Sequence, residues 1–542
     1  MNKKILKNTP GEFISAGVFL YCVMKEKFIS DIQTGYYFKG KDFVIGAGVL
    51  DNEIISDAKV RIPLSTINRH GLISGATGTG KTKSLQVFAE CLSDNGVPVL
   101  MMDIKGDLSG IAKPGEINHH ITDRHKAIDL KYNPSGYPVE LLSLTGKEGV
   151  KLRATVSEFG PVVLSKMLNL NDTQSSILSV VFQYADNNGL PLLDLKDLKR
   201  LLRFITEEGK EDIQKEYGRL SAASIGTIMR KVISLEQEGA EQFFGEPSFD
   251  IKDLLNKDDK DRGQISVLRV NDIQDKPKLY SSFMLSLLAE IFTTFPERGD
   301  SDMPRLVMFV DEAHLLFKEA GDELLEQIDT VIKLIRSKGV GIYFCTQSPT
   351  DIPESVLSQL GLRIQHALRA VTAKDRKAIR SAAENFPLTE YYDTDKILTS
   401  LGVGQALITV LNEKGIPTPL VVTHLRAPAS RMGVLKEDEI SALLNNSELV
   451  DKYNQPVDRE SAYELLEKKL FTEEKQIEES EGVNKPQKPL TDESVWEELS
   501  KNTMVRQMGR TLIRELSRGL LGAVSGKKTS SRRKGSSIFD LF

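Results

Sequence analysis

Through the middle of this chain, apolar residues gather in short unbroken runs that end in glycine-rich or acidic turns. Runs of this kind read as strands buried on both faces: GLISG at 71–75, VPVLMMDI at 97–104, QISVLRV at 264–270, RLVMFVD at 305–311, GVGIYFCTQ at 339–347 and ALITVL at 406–411. From Gly71 they alternate with helix-compatible stretches, which predicts an α/β domain built on a parallel sheet. Between the second and third runs, at about 140–260, segments such as SILSVVFQYA and LKDLKRLLRFI switch to helical spacing, so a helical insertion is expected there. Residues 1–65 carry runs such as FLYCVM and FVIGAGVL between Gly, Asp and Lys clusters. They read as a small β-rich region, with 14–24 a buried β segment.

The expected core spans 66–425. Charged helices and a linker occupy 426–493, where EEKQIEESEGVNKPQKPLTDE is polar enough to stay mobile. A further helix is expected in 494–526, with Ser494 and Glu497 spaced as a capping box, and a basic tail at 527–542.

Composition narrows the function classes. The 542 residues are 40% hydrophobic and 27% charged, an ordinary globular balance. Seventy-one Lys and Arg against 76 Asp and Glu give a net charge of -5, which excludes a protein that coats nucleic acid over its whole surface but not a local basic channel. Cys22, Cys91 and Cys345 form no CxxC pair and no disulfide framework, as expected of a reducing, cytoplasmic setting. The apolar run at 14–24 falls short of the ~20 residues that span a bilayer, and Pro10, Gly11 and Glu12 interrupt its approach, so neither a membrane span nor a signal peptide is expected.

The sharpest chemical signal is Gly75-Ala76-Thr77-Gly78-Thr79-Gly80-Lys81-Thr82, which fits the Walker A pattern G-x-x-x-x-G-K-[ST] between a strand and a helix. Glycines let such a loop curl so that its N–H groups point at phosphate oxygens, and the following helix N-terminus adds positive charge. Lys81 is expected on the β- and γ-phosphates of ATP and the Thr82 hydroxyl on Mg²⁺. Hydrolysis needs a second strand carrying carboxylates, and LVMFVDEAH supplies Asp311 for the Mg²⁺ shell and Glu312 to polarise water. Gln347, at the end of a third strand, is placed to sense the nucleotide or simply to leave the sheet. Arg336 sits near the end of a helix, where it suits the dipole or serves a neighbour's site as an arginine finger.

Together NRHGLISGATGTGKTKSLQ, VLMMDIKGDLSGIA, LVMFVDEAHLLF and LIRSKGVGIYFCTQSPTDIP resemble the HerA/FtsK branch of P-loop ATPases, and most closely its bacterial HerA-like (YjgR-like) group, over about 60–425. The resemblance implies a RecA-type sheet, a homohexameric ring with ATP bound between subunits, and double-stranded DNA in the pore. It implies Gln347 as sensor, Arg336 as a finger acting in trans, and Asp103, Lys105 and Asp107 as parts of a shared motif with no assigned step. The fuller N-terminal β-barrel of archaeal relatives, and the membrane spans and winged helix of FtsK-type translocases, are not found in this sequence.

Asp311-Glu312-Ala313-His314 spells DEAH, but a DEAH-box helicase needs a second RecA-like lobe that the rest of the chain does not offer; His314 is expected to pack under the site. His119, His120 and His125 lack the spacing of a zinc site and are expected on a surface loop. Lys527, Lys528, Arg532, Arg533 and Lys534 make the tail a candidate for phosphate or protein contacts, and its final IFDLF resembles a sliding-clamp docking peptide without the leading Gln. Two alternatives to a DNA motor stay open: a nucleotide-gated ring that controls a partner protein, and a motor acting on protein substrates.

Overall fold

The computed structural model describes residues 10–271, 276–299, 301–318 and 322–481. Its twelve strands are β1 (Asp42–Leu50), β2 (Glu53–Pro63), β3 (Gly71–Ser74), β4 (Val99–Asp103), β5 (Val139–Ser143), β6 (Val150–Lys151), β7 (Ile265–Arg269), β8 (Leu306–Val310), β9 (Val340–Thr346), β10 (Leu362–Gln365), β11 (Gln405–Thr409) and β12 (Val421–Leu425). They make one sheet in the order β2-β1-β12-β11-β10-β3-β9-β8-β4-β7-β5-β6. Strands from β10 to β6 run parallel, and those from β2 to β11 join antiparallel through β11 and β10. This is the α/β, RecA-type sheet expected, with the P-loop strand β3 near its centre.

The parallel strands read as apolar runs because alternate residues feed opposite cores. Leu72, Leu100, Met102, Met308, Val310, Ile342 and Phe344 pack on one face, with the helical insertion. Ile73, Val99, Met101, Val307, Phe309, Tyr343 and Cys345 pack on the other, under the P-loop helix Lys81–Asp94. Phe88 of that helix stands 5.3 Å from Phe43, 5.8 Å from Tyr343 and 6.3 Å from Phe309, ring centre to ring centre. Such pairs contribute about 0.5–1.5 kcal/mol each beyond their burial and set the helix on the sheet.

Four expectations need correction. The segment at 14–24 is helical, not a buried β segment: it lies in a helix Pro10–Gly35. Phe28 and Ile32, four apart, are buried on one side of that helix, as is Tyr36 just after its end, whereas Cys22 and Val23 are exposed. The run at 406–411 is an antiparallel strand, β11. The helical stretch begins later than 140, since β5 joins the sheet first; the insertion's helices run from Val156–Met167 to Ala222–Gln237. Finally, the first part of the expected linker belongs to a helix, Ala462–Glu481.

The small N-terminal region is the edge of the main sheet, since β1 pairs with β12. The helix Ala462–Glu481 is fastened to the insertion: Asp197, almost fully buried, accepts the Tyr463 N–H at 2.9 Å and the Ser461 hydroxyl, and buried Arg200 reaches Glu467 at 2.7 Å and Glu208 at 3.2 Å. The chain divides into compact units at 1–479 and 480–542. The expected helix at 494–526 and the basic tail lie outside the described residues.

Candidate ATPase site

Five neighbouring parallel strands, β10, β3, β9, β8 and β4, end at one rim of the sheet, and the residues just past their ends make the site. After β3 the chain curls through Gly75, Gly78 and Gly80, all with positive φ, into the helix Lys81–Asp94. Glycine is required at 75: φ is +149°, and a Cβ there would stand 2.5 Å from the His366 Cβ. The loop is tied down by Gly75 N–H donating to Thr346 (3.3 Å), Ala76 N–H to Ala367 (2.8 Å), the Thr79 hydroxyl to the Ala76 carbonyl (2.7 Å) and Gly404 N–H to Thr79 (3.0 Å). Lys81 lies along the loop and donates to the Gly75 carbonyl at 2.5 Å and that of Ala76 at 3.3 Å. Burial pushes its pKa down, and the Glu312 charge opposes that. Thr82 is half-buried in the first turn of the helix.

Asp311 and Glu312 follow β8, 7% and 5% exposed. Burial, and next the Glu312 charge, pushes the Asp311 carboxyl up to about 7, and its Oδ2 is buried with no hydrogen-bond partner among the described residues. A buried carboxylate with an unused oxygen, at the same rim as the P-loop that carries the Thr82 hydroxyl, offers the oxygen donors that fit Mg²⁺ and its water shell. Glu312 has left-handed backbone, φ +44°, a strained state for a non-glycine residue that turns its side chain out of the sheet's alternation. Lys105 is ion-paired with its Oε1, and His314 Nδ1 stands 3.3 Å from its Oε2. Burial alone would raise the Glu312 pKa, but the Lys105 ammonium, together with His314 and Lys81, outweighs it and holds the carboxyl below its ordinary value.

Gln347 leaves β9 into an open cavity of about 550 Å³, lined also by Ala76, Thr77, His314, Arg369 and Asp375. The structure therefore brings Gly75–Thr82, Asp311, Glu312 and Gln347 together at one rim. Arg336 is not among them. It is exposed just before β9, at the opposite end of the strand that Gln347 follows, so it lies about 20 Å or more from its own site.

Three contributors were not expected in the site. His366, fully buried after β10, takes the Ser84 hydroxyl at Nε2 (2.9 Å) and meets the Gln405 carbonyl at Nδ1 (2.9 Å), bracing the P-loop helix from below. Arg369 donates to the Thr77 carbonyl at 3.2 Å. His314 does begin a helix, His314–Lys318, but it faces Glu312 and the cavity and does not pack beneath the site. The other histidines also depart from expectation. They lie on a helix, His119–Ala127; His119 and His120 are exposed, whereas His125 is buried and accepts the Ala427 N–H at 3.2 Å. Among the described residues no group of three or more His, Cys, Asp or Glu side chains is placed to hold a metal.

A family model described as Helicase HerA-like C-terminal matches residues 50–530. The chain belongs to the HerA-like family. With the P-loop and acidic strand in place, this HerA-like protein is an ATPase of the HerA/FtsK type. It is 24% identical over 452 residues to a DNA double-strand break repair helicase HerA of Sulfolobus acidocaldarius, covering 79% of this chain and 81% of that one. It is 23% identical over 364 residues to the helicase of the same name from Sulfurisphaera tokodaii, covering 65% and 64%. It is 24% identical over 366 residues to a DNA import protein CedB of Sulfolobus acidocaldarius, covering 66% and 52%. Among solved structures, the plasmid coupling protein TrwB with ADP and Mg²⁺ superposes with a TM-score of 0.47 at 14% identity, over 73% of this chain and 97% of that one. No described helix of the HerA-like chain is long and apolar enough to cross a membrane.

Proposed function

We propose that this HerA-like ATPase hydrolyses ATP with Mg²⁺ as a homohexameric ring in the cytoplasm and uses the reaction to move on double-stranded DNA. The observation that carries the hydrolytic half is the meeting of Lys81, Asp311, Glu312 and Gln347 at one rim. In this reading the N–H groups of Gly75–Thr82 cradle the phosphates and Lys81 leaves the loop carbonyls for the β- and γ-oxygens. Thr82 and Asp311 would hold Mg²⁺, which when bound screens phosphate charge. Glu312 polarises the attacking water, and Gln347 spans water and γ-phosphate.

Arg336 supports the ring. It is exposed and remote from its own P-loop, so an arginine finger at this position has to serve a neighbouring subunit. DNA as the track is supported by the relatives, a DNA double-strand break repair helicase and a DNA import protein. Surface charge agrees: the helix Ala373–Glu384 turns Asp375, Ala378 and Ile379 to the cavity, while Lys374, Arg376, Lys377 and Arg380 stay exposed and suited to a polyanion. Protein contacts through the tail at 527–542 are a further part of the proposal.

The test is the ATPase rate with and without duplex DNA, at low and physiological salt, with Glu312→Gln as the control that binds ATP but turns over slowly. Strong, salt-sensitive stimulation supports the motor. A healthy rate that DNA leaves unchanged refutes translocation and favours a nucleotide-gated ring acting on a partner protein.

A further inference from the structure

The stretch Asp103-Ile104-Lys105-Gly106-Asp107, immediately after β4, has had no chemical step. Its geometry supplies one. Asp103 is fully buried and its carboxylate accepts three backbone N–H groups, from Gly106 at 2.7 Å, Asp107 at 3.2 Å and Leu108 at 3.1 Å. Gly106, with φ +73°, closes the turn. A turn held at three points by one buried carboxylate is rigid, and it presents Lys105 toward the end of β8, the strand that pairs with β4. There the Lys105 ammonium binds Oε1 of Glu312. The other oxygen, Oε2, is buried, faces His314 Nδ1 at 3.3 Å and makes no hydrogen bond among the described residues.

We propose that Lys105 is the positioning residue for the water-polarising carboxylate: it anchors Oε1 and leaves Oε2, beside His314 but not hydrogen-bonded to it, as the acceptor. This rests on the reading of Glu312 given above. In the step it serves, the water oxygen bonds to the γ-phosphorus while the bond to the β–γ bridging oxygen breaks and its electron pair leaves with ADP. The proton of the water passes to Glu312 Oε2. Without Lys105, Glu312 keeps its strained backbone but loses the cation that holds its Oε1 against the repulsion of Asp311 and the triphosphate. The carboxylate then swings away from that charge, out of line with the water. Lys105 is 46% exposed in its side chain whereas Glu312 is 7%, so the pair is not a solvated surface contact of small effect.

The experiment compares steady-state ATP hydrolysis and the affinity for a fluorescent ATP analogue in the full chain and in Lys105→Ala, Lys105→Arg, Glu312→Gln and the Lys105→Ala/Glu312→Gln double variant. Lys105→Ala is expected to lower kcat by about ten- to a hundredfold, the effect of a base displaced by an ångström or so, with KM and affinity within about twofold of wild type. Lys105→Arg, which keeps the cation, restores at least about a third of the rate, and the double variant is no slower than Glu312→Gln because both changes act through one group. A kcat within about twofold of wild type in Lys105→Ala overturns the proposal, as does a loss of rate and affinity together that Lys105→Arg fails to rescue. If Glu312→Gln itself turns over at the wild-type rate, the reading of Glu312 falls and takes this proposal with it. A slow Glu312→Gln beside a normal Lys105→Ala sinks only the role of Lys105.

Discussion

His366 offers a strong test of how the fold holds the P-loop. Its ring is fully buried between the Gln405 carbonyl and the Ser84 hydroxyl, each 2.9 Å away. A carbonyl can only accept, so Nδ1 carries the proton and Nε2 receives the serine O–H; the ring is a neutral brace joining β11 to the helix after the P-loop. His366→Ala leaves a part-buried carbonyl and a buried hydroxyl without this partner, at about 1–3 kcal/mol each, and opens a hole under Gly75. The expected loss is about 3–5 kcal/mol at pH 7.5.

The same residue makes the loss depend on pH. Burial holds the His366 pKa down to about 4, from an ordinary 6.5, although the Gln405 carbonyl pulls it the other way. Below pH 6.5 the unfolded chain takes up a proton that the folded ring refuses. The unfolded state thus binds more protons between pH 6.5 and 4, and folded stability falls as pH falls through that window. From this one group the fall is about 2 kcal/mol by pH 5, and it is absent from His366→Ala. Chemical denaturation followed by circular dichroism at pH 7.5 and pH 5 reads both effects: the gap between wild type and variant is about 3–5 kcal/mol at the higher pH and about 2 kcal/mol narrower at the lower. A gap that does not narrow refutes the buried neutral ring. A gap under about 1 kcal/mol at pH 7.5 refutes the brace itself.

Gly75→Ala forces a methyl group to within 2.5 Å of the His366 Cβ at a φ of +149°, so binding of a fluorescent ATP analogue is lost, and retained affinity would contradict the loop geometry. Arg336→Ala is expected to keep nucleotide affinity and lose turnover. Mixing it with Lys81→Ala subunits should restore part of the rate, because each supplies what the other lacks; no recovery argues against a finger in trans. Arg200→Leu removes the buried guanidinium that holds Glu467, which is expected to loosen the helix Ala462–Glu481 by about 1–3 kcal/mol, read as faster amide hydrogen exchange from 462 to 472 with the P-loop helix unaffected.

The strands that the sequence reveals most clearly are those covered on both faces. β4, β7, β8 and β9 are runs of large apolar residues because each alternate position enters a different core. β10 and β12 escape notice because polar residues interrupt their short apolar runs. Gln365 in LRIQ accepts the Ser74 hydroxyl at 2.6 Å, and His424 interrupts VVTHL, so neither looks like a strand until the neighbour is known. β5 reads as helix for a similar reason: Glu140 in VELLS is buried against Ser447, 2.7 Å away. In the helix Pro10–Gly35, the buried positions Phe28 and Ile32 stand among polar residues, so the helical spacing is not obvious beside the apolar run at 14–24. In the site, local motifs carry Gly75–Thr82, Asp311 and Glu312. The Lys105–Glu312 pair joins residues 207 apart, and His366 follows a strand that could not be seen, so no local pattern reveals either.

The convergence of the legible residues follows from two periodicities acting together. Side chains alternate along a strand, and Met101, Phe309 and Cys345 all face the core beneath the P-loop helix. Two residues beyond each lie Asp103, Asp311 and Gln347. Parallel pairing holds β4, β8 and β9 in step, with Met101 opposite Phe309 and Phe309 opposite Tyr343. The polar residues that end these strands therefore inherit the side of the sheet on which the P-loop helix lies, and the helix brings Lys81 and Thr82 to that side. Glu312 is the residue this pattern would send to the far face. Its left-handed backbone returns it to the site, and the cost of that conformation is a physical reason to expect a dedicated partner for its carboxylate. Lys105, carried by a turn at the end of the adjacent strand, is the cation that the described residues bring to Oε1.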